Sequence, residues 1–242
     1  GMISVDDALA QLFALTEPLD IETVALSEAA GRVLAQPVSA KRDQPPFAAS
    51  SMDGYAICAS DYVAGRSLQV IGESAAGVRF EGVMIAGEAV RIFTGAPLPK
   101  GADWVVIQED VDKISSQITI RETTETKPFI RPAGADFKLG QTLEAPQILT
   151  PQLIALLASM NIAEVPVTRR PDVALISTGS ELVMPGETPG RDQIIASNTF
   201  GLKAMLEQMG ATVRLLPIAH DTLPALHTAF DLAKGADLIV TI

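Results

Sequence analysis

Cysteine is almost missing from this sequence: Cys58 stands alone. A single thiol excludes an intrachain disulfide framework and a cysteine-rich zinc site. A reducing, cytoplasmic setting suits such a chain, although a cysteine-poor chain survives anywhere. Basic runs are missing too. Eighteen Lys and Arg face 29 Asp and Glu, for a net charge of −11. That balance argues against general nucleic-acid binding, which needs clustered cations on phosphates, and against adhesion to anionic membranes. An anionic small substrate would need its charge met locally, by a metal, an arginine or a helix N-terminus. No stretch reaches the roughly 18 uncharged apolar residues of a membrane-crossing helix. No basic-then-apolar signal peptide opens the chain. The two histidines, His220 and His227, form neither His-x-His nor His-Glu-x-x-His, so both read as structural rather than as ligands.

What is present is apolar material. The 242 residues are 48% hydrophobic, enough for one large domain or two smaller ones. Gly1 ahead of Met2 reads as the scar of a cleaved tag. Ser4, with Asp7 three residues on, predicts a capped helix carrying Val5, Ala8, Leu9, Leu12 and Phe13 on one face. "ETVAL" reads as extended, and "SEAAGRVL" from Ser27 as a short helix. From Pro45 the character shifts to short β-rich runs separated by glycine: "GYAICASD", "SLQVIGES", "EAVRIFTG", "ADWVVIQED" and "QITIRE". These predict a small antiparallel β domain, a barrel or sandwich. Thr150-Pro151 opens another helix. "DVALIS", "TVRLLPI" and "DLIVTI" are buried-strand runs alternating with two helices, the first capped at Ser197 or Asn198 and stopped by Gly210, the second stopped by Gly235. That β-α-β-α-β order predicts a doubly wound parallel α/β sheet. It breaks off after its third strand, as in a fragment of something longer.

Five loop stretches carry polar chemistry: "SSMDGYA" (Asp53), "FTGAPLPKGAD" (Thr94), "IRPAGADF" (Arg131, Asp136), "STGSEL" (Thr178, Gly179, Glu181) and "AHDT" (Asp221). Each has a plain alternative. Asp53-Gly54 reads as a hairpin turn, and Thr94 to Asp103 as a long turn. Arg131 with Asp136 reads as a surface ion pair, and Glu181 as a first-turn glutamate. Trp104 and Cys58 read as core, and Met205 with Met209 as packing. Topology favours Glu181 and Asp221, which fall just past the first and second strands of the parallel sheet, where such folds place ligands. Carboxylates in such loops suit magnesium and a phosphate-bearing substrate.

Taken together, "PPFAASSMDGYAI", "RIFTGAPLPKGADWVVIQED", "RPAGADFKLGQTL", "ALLASMNIAEVPVTRRPDVALISTGSEL" and "IIASNTFGLKAMLEQMGA" resemble, in order, the MoeA family of molybdopterin molybdenumtransferases. Gephyrin's E domain and its plant counterpart are relatives. The resemblance implies a multi-domain α+β and α/β protein. An elongated linking domain (2–44 plus 137–170) would carry an inserted small β-barrel or β domain (45–136). A partial, doubly wound parallel α/β domain (171–242) similar to MogA would follow. It implies insertion of molybdate into adenylylated molybdopterin with release of AMP, promoted by Mg²⁺ or Zn²⁺, in a cytoplasmic homodimer. Expected partners are a MogA-type adenylyltransferase and molybdopterin-dependent enzymes, with neither nucleic acid nor membrane among them. By the same resemblance Asp53, Thr94, Arg131 and Asp136 are catalytic and approach the pocket from the β domain, with a placement across a dimer. Thr178, Gly179, Glu181 and Asp221 bind the cofactor, and Glu181 and Asp221 hold the metal. The family's Gly-Gly-x-Ser-Val-Gly-x-x-Asp loop would follow Ile242, so this stretch alone is expected to be inactive. A non-enzymatic scaffold of the gephyrin type is the alternative.

Overall fold

Ser4 does what the sequence predicts. Its hydroxyl accepts the Asp7 N–H at 3.0 Å and donates to the Asp7 carboxylate at 2.7 Å, and helix α1 (Val5–Ala14) starts there. The computed structural model describes residues 3–242. Gly1 and Met2, read above as a tag scar and as the start of the linking segment, lie outside the described residues. After α1 come β1 (Ile21–Ala25), β2 (Val33–Leu34), β3 (Val38–Ser39), β4 (Ala49–Ser50), β5 (Gly54–Ile57), β6 (Ser67–Ser74), β7 (Glu88–Ile92), β8 (Trp104–Ile107), β9 (Val111–Ile114), β10 (Gln117–Ile120), β11 (Ile130–Arg131), β12 (Thr142–Leu143) and β13 (Gln147–Ile148). Then follow α2 (Pro151–Ser159), β14 (Glu164–Thr168), β15 (Asp172–Ile176), β16 (Leu182–Val183), β17 (Ile194–Ile195), α3 (Asn198–Gln208), β18 (Thr212–Leu215), α4 (Leu223–Leu232) and β19 (Leu238–Thr241). The chain divides into two units. One comprises residues 38–143 and 155–162, the other 3–37, 144–154 and 163–242, so the division passes through α2.

The first unit is built on a six-stranded sheet in the order β8-β5-β7-β6-β10-β9. Side chains alternate across a strand. Tyr55, Ile57, Leu68, Ala89, Val106, Ile118 and Ile120 therefore gather on one face. Ala56, Val90, Ile92 and Val105 gather on the other, with Met84 and Ala96 over them. Because both faces are covered, "GYAI" is buried throughout. The sheet differs from the expected antiparallel one: β6 and β7 pair in parallel. The segment 75–87 between them is long enough for the crossover that parallel neighbours require. Cys58 and Trp104, expected in the core, are half-buried at its rim, with Trp104 stacked on Tyr62 at 4.7 Å.

In the second unit, β15 lies between β18 and β19 in a parallel sheet. α3 covers one face through Leu202 and Leu206, against Val173, Leu175 and Val213. α4 covers the other through Ala229 and its C-cap residue Ala233, against Ala174 and Ile176. The predicted β-α-β-α-β arrangement is therefore present. Its third strand is an edge, with Leu238 and Ile239 exposed rather than buried. Met205 and Met209 also face outward rather than packing. The same unit holds the sheet β1-β14-β2-β13. The helix expected from Ser27 is only a single 3-10 turn, Leu26–Glu28. Gly31 takes φ +75°, and Leu149 exchanges backbone hydrogen bonds with Gly31 and Arg32, so pairing at this sheet edge overrides local helix propensity. α1 forms as predicted, yet its apolar side, Val5, Leu9, Leu12 and Phe13, stays exposed. No helix among the described residues is long and apolar enough to cross a membrane.

A carboxylate clasp closes the base of the parallel sheet. Asp237, just before β19, accepts two guanidinium bonds from Arg169, each 3.0 Å, and the Asp172 N–H at 2.7 Å. The Arg169 hydrogen bonds first, then the Asp172 amide, hold the Asp237 carboxyl down at about 2. A carboxylate depressed in the folded state stabilises fully above its unfolded value of about 3.9, and the contribution fades as pH falls toward its folded value. Urea midpoints of the wild type and Asp237→Asn are therefore expected to differ at pH 6 and to converge between about pH 4 and pH 2. A gap that stays constant across that window would show that the charge at Asp237 stabilises nothing.

Candidate functional site

The Asp53-Gly54 step is not a hairpin turn. β4 before it pairs with β11, and β5 after it pairs with β7 and β8. Gly54 is extended and lies against the neighbouring strand: a β-carbon there would sit 1.9 Å from the Val106 carbonyl oxygen. Glycine is needed for close approach of two backbones. The bend comes one step earlier, where the Ser50 hydroxyl donates to the Met52 carbonyl at 2.6 Å.

That bend presents Asp53 to the turn after β7. Its Oδ1 accepts the Thr94 N–H at 2.8 Å and the Thr94 hydroxyl at 2.9 Å. Oδ2 has no protein partner among the described residues. The two Thr94 bonds, the backbone one first, pull the Asp53 carboxyl below its usual range; burial opposes them, and the Arg91 charge, the least of these causes, adds to the lowering. In the sequence Arg91 looks like one more residue of a β-run. Its guanidinium lies 5.2 Å from the Tyr55 ring centroid and 4.6 Å from that of Phe93. It donates to the Gly54 carbonyl at 3.1 Å and to Gln108 Oε1 at 2.7 Å. Arg131 and Asp136 form the ion pair their spacing suggested, at 2.5 Å and half exposed. β4 links the two pairs: Arg131 lies opposite Ala49, and the Ser50 carbonyl accepts the Gly95 N–H at 2.8 Å.

In the other unit the loops after β15 and β18 are stitched together. Gly179 N–H donates to the Ala219 carbonyl at 3.0 Å. Ser180 N–H donates to Asp221 Oδ2, and Asp221 N–H donates back to the Ser180 hydroxyl, both at 3.2 Å. Glu181 folds back so closely that a β-carbon on Gly179 would meet its Oε2 at 2.5 Å. Thr178 donates through its N–H and its hydroxyl to the Ile242 carbonyl, at 2.7 and 3.0 Å. A recess of about 250 Å³ opens here, lined among others by Ser177, Thr178, Glu181, Ser197 and Asn198. Ser197 stands at the N-cap position of α3 but makes no side-chain cap bond, so its hydroxyl satisfies none of the first-turn N–H groups of that helix. Asp221 does not line that recess; its carboxylate supports the Ser180 amide instead. Among the described residues no three or more His, Cys, Asp or Glu side chains are grouped to hold a metal ion.

Residues 3–161 match the family described as the MoeA N-terminal region (domain I and II). The chain is 37% identical over 244 residues to a molybdopterin molybdenumtransferase of Haemophilus influenzae, covering 99% of this chain and 60% of that protein. It is likewise 37% identical over 251 residues to one from Nostoc, covering 99% and 58%. The crystal structure of a molybdopterin biosynthesis MoeA protein from Pyrococcus horikoshii OT3 matches with a TM-score of 0.90 at 31% identity, over 100% of this chain and 66% of that one. The chain thus spans about 60% of the length of the curated relatives it matches.

Proposed function

The chain belongs to the MoeA family, and on that premise we propose that the whole protein acts in molybdenum cofactor biosynthesis, inserting molybdate into adenylylated molybdopterin and releasing AMP. The observation that carries this reading is the match along 99% of the chain to relatives named molybdopterin molybdenumtransferase. The domains proposed are the linking domain (2–44 plus 137–170), the inserted β domain (45–136) and the MogA-like α/β domain (171–242). Thr178, Gly179, Glu181 and the start of α3 would receive the phosphate-bearing substrate, since helix N–H groups and hydroxyls suit a phosphate. The acidic residues nearby, Glu181 and Asp221, are oxygen donors without sulfur or imidazole among them. They fit Mg²⁺ better than Zn²⁺, with substrate oxygens and water completing the shell. Bound there, the ion would neutralise charge on the phosphoanhydride. Asp53, Thr94, Arg131 and Asp136 form the catalytic set of the β-rich unit. The exposed apolar side of α1 supports a homodimer, and the setting proposed for it is the cytoplasm. MogA-type adenylyltransferase and molybdopterin-dependent enzymes are the proposed partners.

The test supplies the full-length protein with adenylylated molybdopterin and molybdate and measures AMP. Asp53→Asn keeps the shape of the side chain and loses its charge. It is expected to lower kcat on the order of 10²-fold, as removal of one oriented electrostatic group does, with the fold retained by circular dichroism. Unchanged turnover would reduce Asp53 to a loop-holding residue. A wild-type protein that releases no AMP would favour the non-enzymatic scaffold.

A further inference from the structure

The two oxygens of Asp53 are not equivalent. Oδ1 is tied twice to Thr94, and Oδ2 is left without a protein partner among the described residues. The direction in which Oδ2 points depends on the backbone that carries Asp53, and two successive carbonyls of that backbone, those of Asp53 and Gly54, are held. The Gly54 carbonyl takes a guanidinium N–H of Arg91 at 3.1 Å. The Asp53 carbonyl takes the Gln108 N–H at 3.1 Å, and the Gln108 side chain is in turn held by Arg91 at 2.7 Å. Arg91 has little freedom of its own. It emerges from β7 opposite Tyr55, and its guanidinium lies between the rings of Tyr55 and Phe93.

We propose that Arg91 is a positioning residue: by gripping Gly54 and Gln108 it fixes the Asp53 backbone so that Oδ2 faces the substrate while Oδ1 stays on Thr94. Arg91 does not form a salt bridge with Asp53. It acts through the peptide and through a charge nearby. A planar fork held over two rings and donating in two directions is a task for arginine; the ammonium of lysine is a point donor that cannot reproduce it. The other charged groups around the fork are Glu73, opposite Arg91 on β6, and Glu109, which accepts from the Gln108 side chain at 3.3 Å. Neither is within ion-pair distance of Arg91, so both leave the fork free for the Gly54 and Gln108 contacts.

This inference rests on the transferase reading, and the experiment separates the two. Arg91→Lys and Arg91→Gln are made in the full-length protein, alone and with Asp53→Asn, and AMP release is measured. Arg91→Gln is expected to lower kcat on the order of 10²-fold, the scale of a misplaced reacting group, with KM nearly unchanged. Arg91→Lys is expected to recover only part of the loss. The double variant is expected to be no slower than Asp53→Asn alone, because residues acting as a unit are not additive. Losses that multiply, or full rescue by lysine, would overturn the proposal. In parallel, the Asp53 carboxyl is titrated by NMR in the 242-residue chain with and without Arg91→Gln. An upward move supports the coupling and an unmoved titration overturns it, even if the wild-type protein releases no AMP and only the transferase reading falls.

Discussion

Gly54→Ala is expected to destabilise the β-rich unit by on the order of 3 kcal/mol, the upper part of the range for forcing atoms into a filled core. The added methyl group would lie 1.9 Å from the Val106 oxygen and 2.8 Å from its carbonyl carbon, both backbone atoms, so no side-chain rotation relieves it. β5 and β8 must separate, and the ladder that pairs Gly54 with Ile107 and Tyr55 with Val106 weakens. Each buried backbone group that loses its partner adds about 1–3 kcal/mol. The probe is already in place: Trp104, the sole tryptophan, belongs to β8 and lies opposite Ile57. Its emission on urea or heat denaturation is expected to show a midpoint lowered by roughly 6–12 °C, at a few degrees per kcal/mol. A midpoint within 1 °C of the wild type would mean that the two strands yield readily, and that Gly54 has another reason to be glycine.

That contact marks where the sequence stops being readable. The dipeptide Asp53-Gly54 carries a strong local turn preference, but what decides its conformation is a carbonyl more than fifty residues away on β8. The bond from Thr94 to Asp53 likewise spans 41 residues, and no spacing rule announces it. Arg91 was invisible for the same reason, since its partners, Tyr55, Phe93, Gly54 and Gln108, come together only when β5, β7 and β8 are side by side. Signals confined to one turn of chain were legible. Ser4 caps α1, the Thr150 hydroxyl accepts the Leu153 N–H at the head of α2, and Gly210 and Gly235 take positive φ just past α3 and α4. "SEAAGRVL" failed because its helical character is weak and a sheet edge was available to pair with it. The parallel arrangement was legible because "DVALIS" is apolar without alternation, the mark of a strand covered on both faces.

That same covering makes Leu175→Ala the matching test in the α/β unit. Leu175 is fully buried in the central strand β15. Its neighbours in register are Leu215 on β18 and Val240 on β19, and Leu202 and Leu206 of α3 belong to the same apolar cluster. Truncation removes the isobutyl group from a site walled by two strands and a helix, leaving a cavity that such walls close only in part. A cost of about 3 kcal/mol is expected, within the 2–5 kcal/mol of buried leucine truncations. β15 runs directly into Ser177, Thr178 and Gly179, and α3 begins at the opposite lip of the recess. The loss is therefore expected to reach the loops at the recess before it reaches global unfolding. Trp104 lies in the other unit, so amide hydrogen exchange is the measurement. Faster exchange is expected at Leu216, whose N–H donates to the Leu175 carbonyl, and at Thr178 and Gly179. Exchange that rises uniformly in both units would show a single cooperative transition instead. A cost below about 1 kcal/mol would mean that α3 collapses onto β15 and that the recess is soft enough to reshape around what it binds.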